Sequence, residues 1–221
     1  MTGGAPPPVE LLVATKNPGK VREIAAVLTG LAVRLRSLVE LSPDWPEPVE
    51  DQPTFRGNAE KKARHYATRW QGLVLAEDSG LVVDALDGAP GVRSARYSLD
   101  PPAPPGGAPA PDAGRDAIDR ANNAKLVAAL AGVPPEQRTA RFRCVAVLAD
   151  PTGVREVAEG TIEGRILDTP RGEGGFGYDP HFWVPSLGCT TAELSAEHKN
   201  RISHRGQALR GLRARLVERL R

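Results

Sequence analysis

Residues 9–15, VELLVAT, are a short apolar run that ends in Thr15 and is broken at once by KNPGK, residues 16–20. A run this short between turn signals reads as a buried strand. Asn17 suits a helix cap and Pro18 the first helical position. Val21, Ile24, Ala25 and Leu28 then recur at helical spacing, and the pattern stops at Gly30. Strand, tight turn and helix in that order open an α/β fold.

The rest of the chain keeps that alternation. VRLRSL (33–38) reads as a strand. Residues 54–70 read as a polar-faced helix with Phe55, Ala59, Ala63, Tyr66 and Ala67 inward. LVLAEDSGLVVDAL (73–86) reads as two short apolar runs broken at Glu77, Asp78, Ser79 and Gly80. A helix is predicted over 115–131. Two strand patterns, RTARFRCVAVLAD and VREVAEGTIEGRI, flank the turn DPTG (150–153), in which Pro151 presets φ, so a hairpin is predicted. A last helix from about Ser203 carries Leu209, Leu212, Leu216 and Leu220 on one side.

Bulk composition narrows the class. At 221 residues, 40% hydrophobic and 25% charged, the chain can bury one large α/β core or two small lobes sharing a sheet. Two cysteines make no disulfide framework, which fits a reducing cytoplasm. No apolar run approaches the ~18 residues of a membrane span, and residues 1–8 read as a frayed tail rather than a secretion signal. A formal net charge of +2 gives no nucleic-acid signature. The stretch DPPAPPGGAPAPDAGRD (100–116) is too rich in Pro and Gly to build a core, and residues 101–114 read as a surface loop insertion.

Four stretches carry candidate chemistry. ATKNPGK (14–20) would aim helix-end amides, Lys20 and Lys16 at an anion, although an ordinary strand-to-helix turn reads the same residues equally well. It departs from a phosphate-cradling GxxxxGK[ST] loop at Ala14 and Val21. AEDSG (76–80) sets carboxylates where a strand ends, where hard oxygens suit magnesium, or else is a turn with Asp78 as an N-cap. Glu47, Glu50 and Asp51 lie in a Pro-rich segment able to swing toward them. GEGGFGYDPHF (172–182) offers glycine amides and the Phe176 ring to a flat ligand, or else is a glycine-rich hairpin with a buried Phe. HKNRISHRGQAL (198–209) gathers Lys199, Arg201, His204 and Arg205, either as a solvated basic face or with Arg205 reading a keto oxygen.

In this order, ATKNPGKVREI, EDSGLVVDALDGAPGVRSARYS, GGFGYDPHF and AELSAEHKNRISHRGQAL resemble the inosine/xanthosine triphosphate pyrophosphatases, from about Leu11 to Leu212. The resemblance implies an elongated mixed twisted sheet flanked by helices, in two lobes with a central cleft over 9–221, assembled as a cytoplasmic homodimer with no nucleic-acid or membrane partner. It implies magnesium-dependent hydrolysis of non-standard purine nucleoside triphosphates to monophosphate and pyrophosphate. By motif, Thr15, Lys16, Asn17, Pro18, Gly19 and Lys20 would hold the triphosphate, and Asp78 would be general base and metal ligand with Glu50. Ser79 would sit beside the substrate. Phe176, Gly177, Tyr178 and Asp179 would wrap base and sugar, and Lys199, His204 and Arg205 would complete the base pocket. Glu77 stands where the family usually has a second aspartate. A pyrophosphatase for modified pyrimidine nucleotides is the nearest alternative, and a nucleotide- or RNA-binding module a more distant one.

Overall fold

Apolar side chains too few to wrap a single strand alone are buried when strands are layered between helices, and β1 (Val9–Val13) shows this first: Leu11, Leu12 and Val13 are buried. The computed structural model describes residues 8–41, 45–110 and 112–219. The expected tail through residue 7 and Leu220 lie outside them. After β1 come α1 (Pro18–Leu28), β2 (Val33–Ser37), α2 (Leu38–Leu41), α3 (Phe55–Trp70) and β3 (Leu73–Val83). Then follow α4 (Arg115–Ala129), β4 (Thr139–Asp150), β5 (Gly153–Ile166), β6 (Phe182–Val184), β7 (Cys189–Thr190), α5 (Ala196–Ile202) and α6 (His204–Arg219).

The described strands form a mixed seven-stranded sheet in the order β2-β1-β3-β4-β5-β6-β7. β1 runs parallel to β2, with Val9 opposite Val33, and to β3, with Leu11 opposite Leu73. β6 runs antiparallel to both β5 and β7. The two-residue link between β4 and β5 is the predicted hairpin.

Two compact units share the chain. The first comprises Met1–Asp78, Cys144–Gly160 and Arg205–Arg221. Its core joins Leu11, Val13 and Leu75 to Ile24 and Leu28 of α1 and to Leu209, Leu212 and Leu216 of α6. The helical stripes read from the sequence are therefore the faces that pack. The second comprises Ser79–Arg143 and Thr161–His204. Its core gathers Leu81 and Val83 with Leu126, Leu130, Phe142, Ile166, Tyr178 and Phe182.

One boundary differs from the sequence reading. β3 is one unbroken strand through Glu77, Asp78 and Ser79 rather than two runs with a gap. Polarity in sequence reads as a break, but a carboxylate whose partners are supplied by other segments can remain in a ladder. The last helix, α6, starts at His204 as expected, and the short helix α5 precedes it: Ser203, with ψ 156, ends α5, and its N–H bonds Lys199 O at 2.8 Å.

Gly164 on β5 shows how closely the second unit packs. A Cβ there would lie 2.5 Å from the Trp183 carbonyl oxygen and 2.6 Å from Phe182 Cζ. Backbone cannot retreat as a side-chain tip can. Gly164→Ala is expected to destabilise the protein by ~1–3 kcal/mol, and thermal or urea unfolding checks this.

Candidate active site

The turn after β1 is built around Asn17. Its Oδ1 accepts from Gly19 N at 2.8 Å and Lys20 N at 3.2 Å, and its own N–H bonds Thr15 Oγ1 at 3.2 Å. Pro18 occupies the first helical position as expected. The cap thereby takes up the two amides that the sequence reading offered to an anion. The charge at this turn comes from side chains instead. Lys16 meets Glu47 at 3.2 Å, and Lys20 is ion-paired to Glu77.

Successive residues of a strand face opposite ways, so β3 sends Glu77 and Asp78 to different neighbours. Glu77 is 3% exposed. Besides Lys20, its carboxylate takes Arg205 Nε at 3.3 Å and the Cys144 thiol at 3.3 Å. Burial alone would raise the Glu77 pKa, but Arg205 and Lys20 outweigh it and hold the group well below the usual carboxylate range. Burial, reinforced by the Glu77 charge, pushes the Cys144 thiol well up, so Cys144 stays protonated and donates. Arg205 is 2% exposed and gives its NH1 to Glu23 Oε2 at 2.6 Å. The expected reader of a keto oxygen is therefore tied, through these contacts, to two carboxylates of the first unit.

Asp78 faces α3. Its Oδ2 accepts from Asn58 Nδ2 at 3.0 Å. Burial pushes the Asp78 pKa up to about 6; Lys62 and Asn58 oppose the rise, and Glu50 and Glu77 add to it. Lys62 is ion-paired to Glu50 and donates to Glu77 O at 3.2 Å. The Pro-rich segment that the sequence set swinging is docked on α3: Lys61 holds Asp51 at 2.7 Å, Asn58 Oδ1 accepts from Gln52 N at 2.9 Å, and His65 Nε2 meets Pro46 O at 2.8 Å.

Could these residues hold magnesium? Among the described residues no group of three His, Cys, Asp or Glu side chains could cage a metal. Magnesium does not need one, since it typically takes one or two carboxylates with water and substrate phosphate. Glu50 and Asp78 are hard oxygen donors whose charges both act on the Lys62 ammonium, which marks the surroundings of Lys62 as favourable to a cation. The donor chemistry fits. Glu77, held by two cations on the other face of β3, is poorly suited to the role.

In the second unit the centre is Asp179. Its Oδ2 accepts from Phe176 N at 2.7 Å and Lys199 Nζ at 2.5 Å, and its Oδ1 from Thr191 Oγ1 at 2.8 Å. The Lys199 ammonium also lies 4.7 Å from the centre of the Phe176 ring. The glycines around it serve this folding more than an outside ligand: a Cβ at Gly175, whose φ is +76, would collide with Asp179 Oδ2. Gly174 N is likewise bonded to Ala192 O at 3.0 Å. Tyr178 is buried, its hydroxyl donates to Ser94 O at 2.8 Å, and burial raises its pKa. Its ring is a core group rather than a wrapping one. His204 stacks on Phe142 at 4.9 Å, and Ser79 is partly exposed on β3.

Asn58, Lys62 and Glu23 were not singled out from the sequence. Their signal was present but faint: Asn58 and Lys62 stand one turn apart, interleaved with the inward residues of α3, where each looks like ordinary helix polarity.

The model of the Ham1 family matches residues 11–215. A dITP/XTP pyrophosphatase of Geobacter sulfurreducens is 54% identical over 90% of this chain and 92% of its own, and one from Geobacillus kaustophilus is 50% identical over 90% of each. The solved structure of a HAM1 protein from Coxiella burnetii superposes with a TM-score of 0.81 at 38% identity, covering 95% of this chain and 99% of that one. Architecture and sequence agree on one class, a mixed-sheet α/β protein with an acidic site on β3. The chain belongs to the Ham1 family. No helix among the described residues is long and apolar enough to cross a membrane.

The two carboxylates of β3 should respond oppositely to pH. Glu77, with a folded pKa below its unfolded value, contributes stability at neutral pH that is lost as pH falls through the acid range. Asp78, with a folded pKa above its unfolded value, costs stability progressively as pH rises from the unfolded pKa to about 6, and the cost is complete above that. Asp78→Asn should therefore raise the melting temperature at pH 8, by the equivalent of ~1–3 kcal/mol, with the gain shrinking toward pH 5. Glu77→Gln leaves Arg205 and Lys20 without their shared counter-charge and should destabilise by ~3–5 kcal/mol. Melting curves from pH 5 to 8 check both.

Proposed function

We propose that the protein hydrolyses non-standard purine nucleoside triphosphates, those of inosine and xanthosine and their deoxy forms, to the monophosphate and pyrophosphate. The observation that carries this is Asp78, a buried carboxylate with a pKa near 6 beside Lys62 and Glu50, in a chain half identical to curated dITP/XTP pyrophosphatases. A carboxyl group poised close to neutrality is suited to take a proton from an attacking water.

Lys20 and Lys16, with Thr15 and Asn17, would meet the triphosphate. Lys20 can change partners at modest cost, because Glu77 keeps Arg205 when Lys20 turns to a phosphate. Magnesium, held by Asp78 and Glu50, would supply neutralisation of the phosphate charge. Asp78 then orients and deprotonates water for attack on the α-phosphorus, and Lys62 limits the repulsion among Glu50, Asp78 and the incoming anion.

Phe176 gives a face for stacking, and Lys199 gives a donor that matches the 6-keto acceptor of hypoxanthine or xanthine. Adenine would set its 6-amino donor against that donor, and each buried group so left unpaired costs ~1–3 kcal/mol. Asp179 keeps Lys199 and Phe176 together. His204, stacked on Phe142, would add a second ring donor. Arg205 is assigned to the Glu23–Glu77 cluster rather than to the base. The family resemblance also implies a homodimer, which sedimentation of the purified protein tests.

The decisive assay is pyrophosphate release from inosine triphosphate, xanthosine triphosphate, ATP and GTP, with and without magnesium. Turnover is expected for the first two, with magnesium required, and Asp78→Asn should lower kcat by ~10²–10⁴-fold. Equal rates on ATP and inosine triphosphate, or an active Asp78→Asn enzyme, would refute the reading.

A further inference from the structure

We propose that Asp119 and Asn123 on α4 are positioning residues that hold the Phe176–Asp179 turn in the form that grips the base; this rests on the function proposed above. The two residues stand four apart on one helix and so share a face. Asp119 Oδ2 accepts the Gly177 N–H at 3.0 Å, and Asn123 Nδ2 donates to the Gly177 carbonyl at 2.9 Å. One helix thus fixes both backbone polar groups of a single residue.

Gly177 is the place where that matters. Its φ is +62, and nothing lies within 4 Å of where a Cβ would be, so the space around its Cα does not by itself fix its conformation. A glycine in such open space moves between conformations readily. Rotating it would redirect the Phe176 ring on one side and Asp179, with its hold on Lys199, on the other. Asp119 and Asn123 remove that freedom before substrate arrives, and pre-organisation of this kind lowers the cost of binding.

The rest of α4 supports the same turn. Asn122 accepts from Ser98 N at 2.7 Å and donates to Ser94 O at 3.3 Å, the carbonyl that also receives the Tyr178 hydroxyl. Arg115 meets Asp119 Oδ1 at 3.0 Å. Asn123 itself is a poor helix former compared with alanine. Its Oδ1 is buried without a hydrogen-bonding protein partner among the described residues. Helix stability does not account for an asparagine here, whereas the bond to Gly177 does.

The test compares Asn123→Asp, which sets a carboxylate oxygen against the Gly177 carbonyl, with Asp119→Ala and Asp119→Asn, the last still able to accept the amide. Arg120→Ala, exposed on the same helix, controls for effects on α4 at large. Steady-state kinetics with inosine triphosphate and hydrogen exchange at the Gly177 amide are measured for each. Asn123→Asp and Asp119→Ala are expected to raise KM about tenfold or more while kcat changes less than about threefold, with faster exchange at Gly177. Asp119→Asn should restore both readouts, and Arg120→Ala should change neither. A wild-type KM in Asn123→Asp and Asp119→Ala, or an equal loss in kcat and KM with lowered melting temperature, overturns the inference alone. No turnover of inosine triphosphate by the wild type overturns the underlying function and takes the inference with it.

Discussion

The first unit depends on the neutralisation of Glu77. A carboxylate taken this far from water is costly by several kcal/mol unless cations and donors meet it. Here Lys20 from α1, Arg205 from α6 and the Cys144 thiol from β4 all converge on it. The cluster joins segments at opposite ends of the sequence, and Glu23 extends it by holding the other side of Arg205. Remove the negative charge and the buried Arg205 loses one of its two carboxylates while Lys20 loses its ion-pair partner. Because the charge is met, β3 can run unbroken through an acidic pair.

That continuity then determines what Asp78 becomes. The strand turns it to the face opposite Glu77, where it meets Asn58 and the field of Lys62 instead of a direct arginine clamp. The two neighbouring acids differ in ionisation for this reason. One is held charged as a structural anchor, and the other is poised near neutrality. A shared sequence motif is thereby divided into two roles by the pleat of one strand.

The second unit repeats the device with Asp179, which collects an amide from its own turn, a hydroxyl from Thr191 and the ammonium of Lys199. In both units a buried carboxylate orders a lysine that is proposed to face substrate. Both lysines are thus placed in advance by an acid that is itself held by other groups. Gly175 follows from the same requirement, since Asp179 lies too close to it to admit a side chain.

Much of this could be read from the sequence. The strand–turn–helix opening, the Asn17 cap with Pro18, the inward face of α3, the β4–β5 hairpin and the leucine stripe of α6 all follow local rules of period and capping, and the structure has them. Asp78, Lys20, Asp179 and Lys199 stood out in the sequence as charged residues in strand-end, turn, glycine-rich and basic stretches, and the structure shows the partner of each. What tertiary structure alone decided is which charge meets which. Arg205 and Glu77 lie far apart in sequence and no local pattern links them, so a guanidinium that looks free to read a base is in fact bound to carboxylates. Asn58 and Lys62 look like helix polarity until β3 is laid against them. Local propensity acts over a few residues, whereas a buried charge must find its partner wherever the fold brings one.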